Sequence, residues 1–430
     1  MNKAKATTLG IQHLLAMYAG AILVPLIIGE ALGFTDTQMT YLVAIDIMMC
    51  GIATLLQVIT GKFIGIGLPV VLGCTFTAVA PIIAIGTNPD QGIGAIYGSI
   101  IVSGMIIFVI AGFFGRLVKF FPPVVTGSVV SIIGISLLSV AINNMAGGQG
   151  AEDFASGSNI ALAFITLLII LVIYRFTTGF IRAISILLGL VFGTIIGAIM
   201  GKVDFSPVVD ASGLHMIQPF YFGTPEFNWS AILTMTLVGM VSLVESTGVY
   251  HALGDICKKE ITSKDLARGY RSEGLASIIG GIFNSFPYTT FSQNVGLVQM
   301  SGVRDRKVIF ITGGLLVVLG FVPKLAALTT IIPTPVLGAA MLTMFGMVIT
   351  QGMKMLAPEI MKSAENAMIV ACAVGLGVGV AVVPSVFDAL PESLSLLTSN
   401  GIVMGSVVAI VLNILFNLIG PKRKEDPMHS

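Results

Sequence analysis

The sequence predicts an all-α polytopic membrane protein of fourteen transmembrane spans, arranged as two inverted seven-span repeats with short broken or extended segments in spans 3 and 10. Three observations carry this prediction. Of 430 residues, 55% are hydrophobic and only 10% are charged, against a charged share of roughly 25% in soluble domains; the mean hydropathy is +0.99. Apolar runs long enough for a span of about 20 residues recur along the whole chain. Lys and Arg are distributed very unequally between alternate connections. A soluble globular domain is excluded, and a formal net charge of +1 leaves no basic excess for binding nucleic acid.

Runs bounded by charge, Gly, Pro or Asn place spans near residues 9–29, 40–60, 64–85, 92–114, 122–142, 158–175 and 181–201. A second set falls near 229–254, 272–284, 287–302, 306–322, 333–353, 366–384 and 400–420. Lys3 and Lys5 precede the first run, which continues into further spans without a small-residue cleavage site; it reads as an uncleaved helix rather than a signal peptide. With the N-terminus cytoplasmic, the positive-inside rule leaves only Lys202 and Lys324, of 22 Lys and Arg, on the outer side. The reading is a multi-pass protein of the cell membrane with both termini cytoplasmic.

An internal repeat supports the two halves. Gly112-Phe113-Phe114-Gly115-Arg116-Leu117 with Pro122-Pro123-Val124-Val125-Thr126-Gly127 resembles Gly320-Phe321-Val322-Pro323-Lys324-Leu325 with Pro333-Thr334-Pro335-Val336-Leu337-Gly338. An odd number of spans separates the copies, so the second half enters the membrane upside down, as in many secondary transporters. In corresponding places of the halves, Pro69 to Phe76 and Pro287 to Asn294 break the helical pattern. Irregular backbone survives at membrane depth only where it lines a cavity, so these paired breaks point to a midplane binding site.

Asp46 and Glu245 are the acids read as lying within the membrane, Glu273 at the edge of the run 272–284 being read with the charged stretch before it. Glu245 lies about 21 Å along the run that starts at Ala231, counted at 1.5 Å per residue, which is near mid-membrane. A carboxylate there costs several kcal/mol unless protonated or paired, so it is expected to be a site and to exchange a proton as substrate binds. Asp46, expected near the outer start of span 2 and open to water, is divided between helix packing and coupling. His13, beside Gln12, is the one histidine within an apolar run and reads equally as a satisfied core histidine. Gln293 offers a donor and an acceptor from one planar amide, which suits the edge of an amide-bearing heterocycle. Asn294 is expected to hold local backbone, and Phe76 to pack or to stack on a flat ring. Gly189, Gly193, Gly197 and Gly201 recur on one helical face for close helix contact. The charged stretch 255–273 reads as a solvated cytoplasmic connection without chemistry. Cys50, Cys74, Cys257 and Cys372 form no close pair in sequence, so neither a disulfide framework nor a zinc site is indicated. No metal and no cofactor are expected beyond a coupling proton.

Gln12-His13, Glu245-Ser246-Thr247-Gly248, and Gln293-Asn294-Val295-Gly296 followed by Ser301-Gly302-Val303 together resemble the nucleobase-ascorbate transporter family, over essentially the whole chain. The resemblance is nearest to bacterial xanthine permeases. It implies a core domain at 1–114 and 229–322, a gate domain at 115–201 and 323–421, an extracytoplasmic loop at 202–228 and a cytoplasmic tail at 422–430. It implies that a purine base, xanthine first and urate next, binds between core and gate. Glu245 and Gln293 would hydrogen-bond its edge, main-chain groups near Phe76 and Ser292 would complete the pocket, and His13 and Asn294 would support the network. The family pattern departs at Val249, Ser301 and Asp305. Rival readings are a symporter of uracil or another nucleobase, an anion exchanger on the same architecture, a channel and a membrane enzyme. The last has no nucleophile with a base at usable spacing. Monomer and homodimer are both compatible with the sequence.

Overall fold

The computed structural model describes residues 3–117, 120–211, 213, 217–387 and 400–419. The tail expected at 422–430 lies outside these residues. In chain order the helices are α1 (Lys3–Ala31), α2 (Asp36–Val58), α3 (Val79–Thr87), α4 (Gly92–Leu117), α5 (Pro123–Met145), α6 (Gly157–Phe176), α7 (Gly179–Ala183), α8 (Ser185–Ile199) and α9 (Ser206–Asp210). They continue as α10 (Trp229–Cys257), α11 (Ser263–Ile282), α12 (Ser292–Ser301), α13 (Arg306–Gly320), α14 (Pro323–Thr330), α15 (Thr334–Lys362), α16 (Ala364–Val382) and α17 (Gly401–Asn413). Two three-residue strands, β1 (Leu72–Cys74) and β2 (Tyr288–Thr290), complete the set.

The protein is a multi-pass membrane protein. Among the described residues, nine helices are long and apolar enough to cross a bilayer, and α13 with α14, bent by 82° at their junction, forms a tenth candidate. Their large apolar side chains also point outward: Val109, Phe113, Phe164 and Leu168 are all exposed. Such surface is unfavourable in water and suited to acyl chains.

The two broken segments sit where the sequence places them. The chain after α2 runs without helix from Ile59 to Val71, forms β1, makes a single 3-10 turn at Phe76–Ala78 and enters α3. The second copy runs through β2 directly into α12. β1 and β2 pair antiparallel, with Leu72 opposite Thr290, Gly73 opposite Thr289 and Cys74 opposite Tyr288. Pairing satisfies backbone groups that would otherwise be costly in the membrane interior. The antiparallel sense is what an inverted repeat requires, since each half contributes the same element in opposite direction. Gly73 is required here: a Cβ on it would lie 2.5 Å from the Phe291 ring.

The described chain divides into two compact units, residues 1–115 with 137–345, and residues 116–136 with 346–430. The boundaries fall inside α5 and α15 rather than between helices. In the first unit α2 packs along α13, α1 and α11. Also there, Gly189 and Gly193 of α8 lie against Ile170 and Thr166 of α6, with no room for a Cβ, as the small-residue face anticipates. In the second unit α16 packs along α17, and Asn417, in the π-helical segment Ile414–Ile419 that continues α17, donates to Asn366 at 3.0 Å.

Two expectations are corrected. Asp46 is not near the outer end of its span; α2 begins at Asp36, which puts Asp46 almost three turns in, and it is fully buried. The stretch 255–273 is not solvated throughout. Helix α11 already begins at Ser263 behind a Thr262/Asp265 capping box, so Glu273 lies nearly three turns inside it and is only 2% exposed.

Candidate functional site

Helix α10 is started by Asn228, whose side chain accepts from the Ser230 and Ala231 amides at 2.9 and 3.2 Å. From there it runs 29 residues without interruption. Ser242 and Ser246, four residues apart and therefore on one face, fasten it to the two broken segments. Ser242 donates to Thr75 Oγ1 at 3.3 Å. Ser246 lies 3.2 Å from Thr289 Oγ1 and accepts from the Thr290 amide at 3.4 Å. Glu245 stands beside these anchors. It is half-buried, and its carboxylate takes no hydrogen bond from the described residues. A mid-helix carboxylate with no protein donor is free to take one from a ligand.

The facing element is α12. Phe291 precedes it in extended conformation and gives no side-chain cap, so the first amides of the helix are left to other acceptors. Two short helices thus begin at the β1–β2 crossing, one after Thr75 and one after Phe291. Half-helix N-termini at mid-membrane carry partial positive charge and suit carbonyl oxygens or anionic groups. Ser292 and Gln293, the first two residues of α12, are exposed, and the Gln293 amide has no partner among the described residues. Phe76 is half-buried and meets Phe345 edge-on, ring centroids 5.8 Å apart.

Asn294 points the other way. It is buried and donates to His13 O at 2.9 Å, with its Nδ2 also 3.2 Å from His13 Nδ1. His13 therefore lies behind α12 and ties it to α1. Glu245 lies on α10, Ser292 and Gln293 open α12, and Phe76 opens the turn after β1; α10 packs against both of the others. It places His13 and Asn294 one layer back. Asp46 stands apart in a closed cluster: Ser285 donates to Oδ1 at 2.6 Å, Cys74 to Oδ2 at 2.9 Å, and Cys50 to Oδ2 at 3.7 Å. The two thiols, 24 residues apart in sequence, converge on one carboxylate.

Glu273 is the buried acid that sequence reasoning missed. Its Oε1 accepts from the Tyr250 hydroxyl, to which Gln57 also donates. Gln57 donates further to Gly269 O at 3.1 Å and accepts from the Ile66 amide at 3.3 Å, so α2, α10 and α11 share one network. The available signal was spacing: from the Thr262 cap, Asp265, Arg268 and Arg271 lie in the first turns, and Glu273 lies beyond them in a run free of further charge. The departures from the family pattern have local roles. Asp305 caps α13 by accepting from the Lys307 amide at 3.0 Å. Ser301 accepts from the Val303 amide at 3.3 Å across Gly302, which closes α12. Val249 is a buried apolar residue of α10.

Paired half-helices crossing in an inverted repeat, with a free carboxylate and a free amide beside them, define a membrane transporter. Residues 4–386 match the Permease family, Xan_ur_permease, and the chain belongs to that family, the nucleobase-ascorbate transporters; it is a permease, not an enzyme. It is similar to a xanthine permease of Bacillus subtilis, 60% identical over 420 residues covering 98% of this chain and 95% of the relative. It is similar also to a uric acid permease, PucK, of the same organism, 57% identical over 420 residues covering 98% and 97%. Among solved structures, the transmembrane domain of a cyanobacterium bicarbonate transporter, BicA, superposes with a TM-score of 0.60 at 17% identity, covering 96% of this chain and 98% of that one. The fold is shared with it.

Proposed function

We propose that the protein imports a purine nucleobase, xanthine foremost and urate next, by proton symport through alternating access. The observation that carries this reading is Glu245: a carboxylate midway along α10, without a protein donor, on a helix packed against the one that presents the free Gln293 amide. Relatives at 57–60% identity named for xanthine and uric acid support the substrate class. A purine dione offers ring N–H donors beside carbonyl acceptors along one edge. Glu245 takes an N–H, and the Gln293 amide pairs with a neighbouring N–H and carbonyl. Phe76 covers the ring face. Main-chain amides near Phe76 and at Ser292 receive the remaining carbonyl oxygens. Asn294 and His13 hold α12 at the required depth.

Coupling follows from the same carboxylate. With a proton on Glu245, a charge at mid-membrane is avoided and the loaded carrier can reorient; release of base and proton together resets it. Glu273, close enough to Glu245 for their charges to interact, shares this environment, and His13 and Asp46 are assigned supporting parts in coupling. Residues 1–114 and 229–322 act as the core and 115–201 with 323–421 as the gate, in the cell membrane with both termini cytoplasmic. No cofactor takes part beyond the proton.

The test is uptake of labelled xanthine with and without a protonophore, repeated in sodium-free buffer and against a panel of unlabelled bases. Collapse by the protonophore, indifference to sodium, and competition by urate but not uracil are expected. Sodium dependence with protonophore resistance would contradict the proton; competition by uracil alone would contradict the purine.

A further inference from the structure

Glu273 uses only one of its carboxylate oxygens. Oε1 accepts from Tyr250, while Oε2 is buried and has no hydrogen-bond partner among the described residues. A carboxylate oxygen left so bears its desolvation uncompensated. Glu273 lines a cavity of about 10 Å³ with Ser103, Ser242, Ser277, Pro287 and Tyr288, a size that admits one water molecule. The three serines have already spent their protons: Ser277 on Glu273 O at 2.9 Å, Ser103 on Ile100 O at 3.0 Å, and Ser242 on Thr75 Oγ1 at 3.3 Å. What they turn to the cavity is lone pairs, so its occupant must be a donor.

Tyr288, which lines the cavity, has its hydroxyl oxygen 2.5 Å from that of Ser285. Ser285 gives its single proton to Asp46 Oδ1 at 2.6 Å, so Tyr288 must donate to Ser285. Each hydroxyl from Tyr288 onward is therefore directed toward Asp46.

We propose that this cavity binds one water molecule and that the water completes a proton path from Glu273 through Tyr288 and Ser285 to Asp46. Protonated Glu273 gives its proton to the water; the water gives one of its own to Tyr288 OH, Tyr288 to Ser285, and Ser285 to Asp46. Each transfer breaks one O–H bond and forms one, so Glu273 ends as carboxylate, Asp46 as carboxylic acid, and the water and both hydroxyls end neutral with their directions reversed. The groups facing the two ends are Tyr250, Ser246 and Glu245 at Glu273, and Ser285, Cys50, Cys74 and Tyr97 at Asp46. The path rests on the proton-symport reading and assigns Asp46, otherwise a closed cluster, as its terminus.

Xanthine-for-xanthine exchange needs no net proton movement, whereas accumulation driven by an inward proton gradient does. Both are measured in proteoliposomes carrying the full chain. Tyr288→Phe keeps the ring and removes only the bridging hydroxyl; Ser277→Val fills the cavity with a methyl group off the path. Each is expected to retain exchange within about twofold and to lose about tenfold or more of gradient-driven accumulation, the scale of a single proton-transfer group. Accumulation at the native level in either variant overturns the path. So does an equal loss of exchange and accumulation, the mark of a merely structural role. Where Tyr288→Phe does not insert, Ser277→Val decides. If native accumulation ignores the gradient, the symport reading falls and takes the path with it; if native accumulation follows the gradient and both variants do too, the path alone falls.

Discussion

Asp46 and Glu245 both stand at mid-helix in this protein, and their surroundings differ completely. Asp46 on α2 is fully buried and takes donors from Ser285, Cys74 and Cys50. Glu245 on α10 is half-buried and takes none from the described residues. The first resembles a solved structural problem, in which the protein itself supplies what water would. The second leaves its hydrogen-bonding capacity open beside a free amide, which is stabilising only once a ligand arrives. In the proposed function, satisfaction rather than depth in the membrane separates the supporting acid from the one assigned to substrate.

Several substitutions can break or sharpen that contrast. The largest effect is expected from Glu245→Gln, which removes the charge and keeps the shape. Xanthine uptake should fall by roughly 100-fold or more, the scale on which a site built to hydrogen-bond its ligand fails when the pairing is lost. Its melting temperature in detergent should stay near the native value, because no protein donor is orphaned. Asp46→Ala should behave in the opposite sense. It strands the Ser285 hydroxyl and the two thiols, at about 1–3 kcal/mol, and should lower the melting temperature measurably. If Glu245→Gln destabilised more than Asp46→Ala, the contrast would be wrong.

Gln293→Glu replaces an amide that both donates and accepts with a carboxylate that only accepts. Affinity for xanthine should drop by about 1–3 kcal/mol, roughly 5- to 150-fold, with uracil gaining relative to it in competition assays. An unchanged ranking of bases would remove Gln293 from the specificity argument. Gly73→Ala drives a methyl into the Phe291 ring at 2.5 Å. About 1–3 kcal/mol of overpacking is expected, seen as a lower melting temperature together with a raised KM, since Phe291 leads directly into Ser292 and Gln293.

The smallest effect belongs to the loops that join α5 to α6 and α8 to α9. Lys202 donates to Asp153 at 3.0 Å and to Asn159 at 2.6 Å, and hydrogen bonding of Asp153 by Lys202, then by the Asn159 side chain, holds its carboxyl below the usual 3.8. A depressed folded value means that the contact contributes above the unfolded pKa and is lost as pH falls through the folded one. Hydrogen-exchange protection of residues 146–159 should therefore be constant at neutral pH and decline only well into the acid range. Lys202→Met should remove that decline.

The contrast also shows what a sequence can and cannot carry. Pro69 and Pro287, with β-branched neighbours, announced the breaks that became β1 and β2, because a missing amide and a crowded Cβ act locally. Glu245 was legible because an acid in an apolar run is costly wherever the chain folds. The burial of Glu273 was not, because it closes a stretch of charges whose solvated and buried members look alike until the α11 start at Ser263 sets the count of turns. The Asp46 cluster was equally hidden: its partner Ser285 is 239 residues away, and only the antiparallel meeting of β1 and β2 brings Cys74 and the Ser285–Tyr288 segment to α2. The separate directions of Gln293 and Asn294, adjacent in sequence, follow from α12 starting at Ser292, which turns successive residues by about 100°.

Equilibrium binding of labelled xanthine to the purified protein and to its Glu245→Gln variant, both first shown to melt alike, tests the central claim most directly. A loss of roughly 100-fold in affinity is predicted. Undiminished binding by the variant would contradict the assignment of this carboxylate as the group that receives the base.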